Sequence, residues 1–242
     1  MTLDATLERI YPHETDPADA VESESIELHL ARYRFAAVHA KGNRLLDIAS
    51  GCGYGTAMLG QAKPGMECFG LDCDPRAIAY ASERYPGPNL SYIQADVMEY
   101  APQQKFDTVV TLETIEHLPD PAGFIRRLAE ITTQDGIIVA SVPITPSKDG
   151  NPHHLHDFTE KSFKNLFIEN GFHPTEPELL QVQRYFRFSG LFSKGTKKRT
   201  QNIPRNLARF YLDHPTALFK RIGALCRYGF TNRYLTSVFR RT

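Results

Sequence analysis

An α/β fold built on a mostly parallel sheet, with helices on both faces, is what this sequence predicts, and three observations carry it. Short apolar runs alternate with longer helix-like stretches from Asn43 to about residue 170. The first run leads straight into a glycine cluster, Gly51, Gly53 and Gly55. Aspartates follow the second and third runs, at Asp72 and Asp96. Strands alternating with helices imply βαβ units, whose crossovers cover both sides of a parallel sheet.

Each element follows from its own pattern. Residues 18–40 read as a helix with Ile26, Leu30, Tyr33 and Ala37 on one stripe. Strands are expected at 44–49, 66–71, 90–94, 106–112 and 136–142, and helices at about 54–62, 75–85, 120–132 and 159–170. Pro75, Pro119 and Pro121 stand near helix starts, where a missing N–H costs nothing. Residues 172–189 are expected to add an antiparallel pair. Beyond Ser189 the texture changes: FSKGTKKRT reads as a basic linker, and 215–228 as an amphipathic helix with Leu218, Ile222 and Leu225 on one face and Lys220, Arg221 and Arg227 elsewhere.

Composition agrees with a packed domain. The 242 residues are 41% hydrophobic and 23% charged. The longest unbroken apolar run is five residues, Ala77 to Ala81, against the ~20 of a membrane-spanning helix. The acidic N-terminal stretch lacks a secretory apolar core, which gives the expectation of a cytoplasmic protein. Cys52, Cys68, Cys73 and Cys226 form no CxxC pair and are expected to be plain thiols. The net charge of zero hides a division of −13 over residues 1–180 and +13 over 181–242. So basic a tail fits an anionic surface: nucleic acid, the inner face of a membrane as a peripheral contact, or the acidic body itself.

A parallel sheet binds ligands beyond the carboxyl ends of its strands. Leu45-Leu46-Asp47-Ile48-Ala49-Ser50-Gly51-Cys52-Gly53-Tyr54-Gly55 supplies small residues there, so that a ligand can approach the backbone. With Thr56 where a dinucleotide fingerprint has its third glycine, GxGxxG is not matched. Asp72 can accept hydrogen bonds from both hydroxyls of a ribose, and Asp96 can receive an adenine amino group.

From about 25 to 170 the chain resembles class I S-adenosylmethionine (SAM)-dependent methyltransferases, of the group with ubiquinone-pathway and bacterial sugar or glycan methyltransferases. The resemblance implies a Rossmann-like sheet of about seven strands, an N-terminal helical cap over 1–40, a methyltransferase domain over 41–189, and a basic linker with helical extension over 190–242. It assigns Asp47, Ala49, Gly51 and Gly53 to the glycine motif around the methionine part, Asp72 to the ribose, Asp96 and Val97 to the adenine, and Leu112 to the neighbourhood of the sulfonium. Arg32 on the first helix would pair with the cofactor's carboxylate. Ala49 replaces the motif's usual first glycine, a change of small consequence if its φ stays negative.

Glu113, Glu116 and His117 stand at i, i+3 and i+4, on one face if Glu113 begins a helical turn. Two carboxylates and an imidazole suit magnesium, manganese or zinc. The set resembles the ExxEH metal motif of small-RNA 2′-O-methyltransferases, and His154, ahead of Asp157-Phe158-Thr159, matches the further histidine of that pattern. A metal-free alternative makes His117 a general base oriented by Glu113 or Glu116. In a third reading these residues only shape the chain, Asp120 capping one helix and Asp157 or Thr159 the next. The expected acceptor is a hydroxyl of a sugar, glycan or small metabolite. RNA termini are the alternative, disfavoured by the acidic body, and a non-catalytic SAM-binding scaffold is the third.

Overall fold

The structure, a computed structural model, describes residues 20–149, 151, 153–184 and 210–242. The acidic stretch before residue 20 and the linker at 192–200 lie outside the described residues. In chain order the first half contains α1 (Ala20–His39), β1 (Arg44–Ile48), α2 (Tyr54–Ala62), β2 (Glu67–Asp72), α3 (Pro75–Arg84), β3 (Leu90–Gln94) and β4 (Phe106–Leu112). A 3₁₀ turn (Ile115–His117), α4 (Pro121–Ile131), β5 (Thr132–Pro143), α5 (Glu160–Ile168), β6 (Phe172–Arg184), α6 (Pro215–Tyr228) and β7 (Thr231–Arg241) follow.

The seven strands form one sheet of order β3-β2-β1-β4-β5-β7-β6. The first five are parallel, and β7 runs antiparallel to both β5 and β6. Alternation along each strand divides the core into two. Leu46, Val109 and Ile138 pack with Phe124 and Leu128 of α4 and with Phe163 and Phe167 of α5. Their neighbours Leu45, Val110 and Val139 face Tyr33, Ala36 and Ala37 of α1 and Leu59 of α2. Residues one apart therefore serve opposite layers, as the period of two requires.

Local chemistry sets the helix starts. Asp74 caps α3 by accepting from the Arg76 N–H (2.8 Å) ahead of Pro75, and Asp120 accepts from the Gly123 N–H (2.9 Å) ahead of Pro121. Thr159 and Ser162 form a reciprocal capping box on α5.

The antiparallel pair expected within 172–189 is corrected. The described residues of that span, 172–184, form the single strand β6, and its partner is β7, inside the segment read as a helical extension. β7 was missed because Asn232, Arg233 and the run Thr236-Ser237 interrupt its apolar pattern. In the fold Thr236 and Ser237 are nevertheless buried, as are Leu235, Val238 and Phe239. The Phe239 ring stacks on Phe167 at 3.7 Å between centroids. Truncating it to Ala is expected to cost about 3–5 kcal/mol, read as a fall in Tm of about 10 °C. An unchanged melt would mean that β7 is not in the sheet.

Candidate active site

Parallel register brings the ends of β1 to β5 to one edge. Ile48 pairs with Leu71 and Thr111, Asp72 with Gln94, and Leu112 with Ser141. Read across that edge, the order is Asp96, Asp72, the glycine turn, Leu112 with Glu113, and the chain leaving β5. Adjacent strands lie about 4.8 Å apart, so the path from Asp96 to the glycine turn is on the order of 10 Å. That is the scale of a nucleoside.

The turn after β1 is stitched to the end of β2. Ser50 N–H donates to the Leu71 carbonyl (3.0 Å), and Gly51 N–H donates to Asp72 Oδ2 (2.9 Å). Asp72 Oδ1 accepts from the Asp74 N–H (2.9 Å). A carboxylate oxygen is an acceptor of the kind a ribose hydroxyl needs. Asp96, exposed, accepts the Met98 N–H on Oδ1 (2.9 Å), while Val97 beside it is buried. Gly51 has φ +55° with nothing within 4 Å of where a Cβ would stand, so the face above it is open. At Gly53 (φ +84°) a Cβ would strike Ala81, and at Gly55 it would fall inside the Tyr33 ring.

Ala49 departs from expectation. Its φ is +56°, in the left-handed region, so the alanine is strained where the motif's glycine would not be.

Under the turn, Asp47 is fully buried and accepts from Thr56 Oγ1 (2.7 Å) and, at longer range, from the Tyr33 hydroxyl (3.4 Å). Burial pushes its carboxyl up to about 7, against the lowering effect of those two hydrogen bonds. Burial likewise raises the Tyr33 phenol, with the Asp47 charge adding to it.

Arg32 is 1% exposed, and its guanidinium lies over the Tyr234 ring at 4.5 Å. Its Nη2 is 3.8 Å from Glu113 Oε2, while Nε and Nη1 are buried with no hydrogen-bond partner among the described residues. Such a fork, its charge only partly met, suits a planar carboxylate. Glu113 has φ +51° and is held by Ser141, whose hydroxyl donates to Oε1 (2.7 Å) and accepts from the Glu113 N–H (3.1 Å).

The common helical face for Glu113, Glu116 and His117 is therefore corrected. The helical turn begins only at Ile115, after the reversed backbone of Glu113 has aimed that side chain toward Arg32 and Ser141. Glu116, His117 and His154 instead gather with ligand atoms all within 4.8 Å of one another. Backbone pairing brings the two segments together: Leu155 and His156 N–H both donate to the Glu116 carbonyl (2.8 and 3.2 Å). The His117 and His154 rings meet edge-on at 4.7 Å. Because a carbonyl only accepts, the His117 Nδ1 facing His153 O at 3.1 Å carries the proton, which leaves Nε2 its lone pair when the ring is neutral. His154 Nδ1 contacts Ser147 Oγ at 2.7 Å. Metal–ligand bonds of about 2.0–2.2 Å bring ligand pairs to roughly 3–4 Å, so the carboxylate and two imidazoles fit a divalent cation after a small inward adjustment.

Several contributors carried no sequence signal of their own. Ser141 and Ser147 stand among ordinary strand and loop residues, and Tyr33 read as core. Asp157 shapes the histidine loop by accepting from the Ser147 and Lys148 N–H groups (2.9 and 3.1 Å). Thr159 is the helix cap.

Residues 46–140 match the family model described as a methyltransferase domain. A solved putative methyltransferase from Bacillus halodurans superposes with a TM-score of 0.64 at 18% identity, over 87% of this chain and 97% of that one. The fold is that of the class I methyltransferases. A probable S-adenosylmethionine-dependent methyltransferase of Mycobacterium tuberculosis is 28% identical over 165 residues, 65% of this chain and 59% of the relative. The match thus spans less than two thirds of that relative's length. A ubiquinone biosynthesis O-methyltransferase of Yersinia enterocolitica is 34% identical over 102 residues, 40% of this chain and 41% of the relative.

Two outcomes follow from the turn. Ala49→Gly relieves the left-handed strain and is expected to raise stability by about 1 kcal/mol in denaturant melts; a loss would contradict the strain. Between about pH 4 and pH 7 the folded protein holds the Asp47 proton and the unfolded chain does not. Stability contributed by this group is therefore lost as pH rises through that window. Asp47→Asn should flatten that slope, and an unaltered pH profile of unfolding would contradict the raised carboxyl.

Proposed function

We propose that this protein is a SAM-dependent methyltransferase that methylates a hydroxyl of a sugar, glycan or small metabolite, assisted by a divalent cation on Glu116, His117 and His154. The observation that carries the cofactor reading is the strand-end edge itself. A carboxylate suited to a ribose, an open glycine turn and a buried, incompletely paired arginine lie along the length of one nucleoside and its amino-acid tail. The residues fit SAM. Asp72 would hold the ribose hydroxyls, Asp96 and Val97 the adenine, and Arg32 the carboxylate, while the glycine turn admits the chain between them. Bound there, the sulfonium supplies an electrophilic methyl group.

Residues at the ends of β4 and β5 then face the acceptor. Leu112 provides an apolar wall, and Glu113 sits between Arg32 and Ser141 where it fixes both. A cation on the Glu116, His117 and His154 set supplies charge that lowers the pKa of an acceptor hydroxyl. The His153 carbonyl orients the His117 ring, the outer partner that a ligating imidazole needs. Oxygen methylation draws support from this mixed oxygen and nitrogen donor set and from the O-methyltransferase likeness, and an acceptor with neighbouring hydroxyls suits chelation.

Calorimetry with SAM tests the cofactor assignment. Arg32→Met and Asp72→Asn are each expected to weaken binding about tenfold or more, as loss of a charge-assisted hydrogen bond would. Wild-type affinity in both variants would overturn it. Metal analysis tests the cation: close to one equivalent is expected in the purified, metal-supplemented protein, with a sharp loss in Glu116→Gln. Equal, negligible metal in both, with methyl transfer surviving a chelator, would leave His117 as a metal-free base.

A further inference from the structure

We infer that α6 is a docking helix for an anionic lipid surface. Pro215, Leu218, Phe219, Ile222 and Cys226 recur at the spacing that places them on one helical stripe. That stripe faces outward: Phe219 is 72% exposed, Ile222 47% and Leu218 37%. Leu212 just before the helix is exposed as well. Lys220 and Arg227 flank the stripe and are also exposed. The orientation is the reverse of a helix packed by its apolar face on its own domain. Inward it presents Ala217, Ala224, Leu225 and Tyr228, all half-buried, together with Arg221.

A polar anchor holds the helix this way round. Arg221 Nε donates to Asp149 Oδ2 (2.6 Å) and Nη2 to the Pro146 carbonyl (2.6 Å), and Nη2 also pairs with Asp149 Oδ1. The Tyr211 hydroxyl donates to the same, nearly buried, carboxylate. Arg233 lies over the Tyr228 ring at 4.4 Å. With its inward face bonded to the body, the helix keeps its apolar stripe for another surface.

Charge selects that surface. α6 carries Lys220, Arg221 and Arg227 and no acidic residue, and Lys220 and Arg227 are exposed. A second copy of this face would bring like charges together, whereas anionic headgroups meet Lys220 and Arg227 while the apolar side chains enter the acyl boundary. No helix among the described residues is long and apolar enough to cross a membrane, so the contact is interfacial. Resting on the function proposed above, the anchor has a further consequence. Asp149 belongs to the loop whose Ser147 contacts His154, so a docked helix brings the acceptor side of the site to the bilayer, as a lipid-borne acceptor would need.

Co-sedimentation of the full chain with phosphatidylglycerol-containing and pure phosphatidylcholine vesicles tests this. The wild type is expected to pellet with the anionic vesicles and to remain in solution with the neutral ones. Phe219→Ser with Ile222→Ser should weaken anionic-vesicle binding at least tenfold while Tm and SAM affinity stay unchanged. Should that variant fold poorly, Lys220→Glu with Arg227→Glu is expected to give the same loss. Wild-type protein left in solution with the anionic vesicles, or variants that bind as the wild type does, would overturn the inference. So would sedimentation analysis showing a dimer that the serine variant dissolves, since the stripe would then belong to a second copy. Vesicle binding needs neither cofactor nor acceptor, so its failure is distinct from a failure of methyl transfer.

Discussion

Everything at the candidate site depends on the register of five parallel strands. Parallel pairing requires successive strands to end on the same side, and the turns after them must begin where backbone hydrogen bonding stops. The pairs Ile48–Leu71, Asp72–Gln94 and Leu112–Ser141 turn residues far apart in the chain into neighbours along one edge. Asp72 reinforces that edge from the side: by accepting from Gly51 N–H it ties the first turn to the second strand before any ligand arrives. The Asp72 carboxylate and the glycine turn are thus one unit.

Strain collects along the same edge. Among the described residues, Ala49 and Glu113 are the non-glycine positions with positive φ, and each immediately follows a strand at the site. Such backbone costs on the order of 1–3 kcal/mol and persists only where the surroundings hold it. At Ala49 the bonds of Ser50 and Gly51 to β2 hold it. At Glu113 the Ser141 hydroxyl does so from both sides. The reversed backbone at Glu113 separates two carboxylates that the sequence spaces as though they shared a face. One goes to Arg32 and the other to the histidines, so a single short segment joins the Arg32 pairing to the histidine cluster.

How much of this was legible depended on whether the deciding physics was local. Strands β1 to β5 and the caps at Asp120 and Thr159 were readable because burial period and capping chemistry are written within a few residues. The glycine turn with Asp72 and Asp96 was readable because each follows a strand at a fixed topological place. β7 was not, since its polar residues are buried only through pairing with β5 and β6, distant partners that no local pattern reveals. The sign of φ at Ala49 and the helical phase of ExxEH were also hidden, as both follow from bonds to β2 and to Ser141 on β5. Arg221 shows the same limit: set apart from the apolar face by its spacing, as Lys220 and Arg227 are, it turns inward because Asp149 is there.

The charge division along the chain takes a different meaning once β7 is in the sheet. A +13 tail attached after a finished domain would be an appendage. Here the polypeptide leaves β6, contributes α6, and returns as β7 between β5 and β6, so the basic segment is clamped at both ends by the sheet. α6 runs through Gly229 into β7, whose Leu235, Val238 and Phe239 lie in the core, and Arg221 ties the helix to Asp149 and to the Pro146 carbonyl. Its position relative to the histidine loop is set by that ion pair, since Asp149 lies two residues beyond Ser147, the contact of His154. A surface that binds the exposed stripe would therefore meet the protein on the side where Arg221 and Asp149 join the helix to the loop of Ser147 and His154.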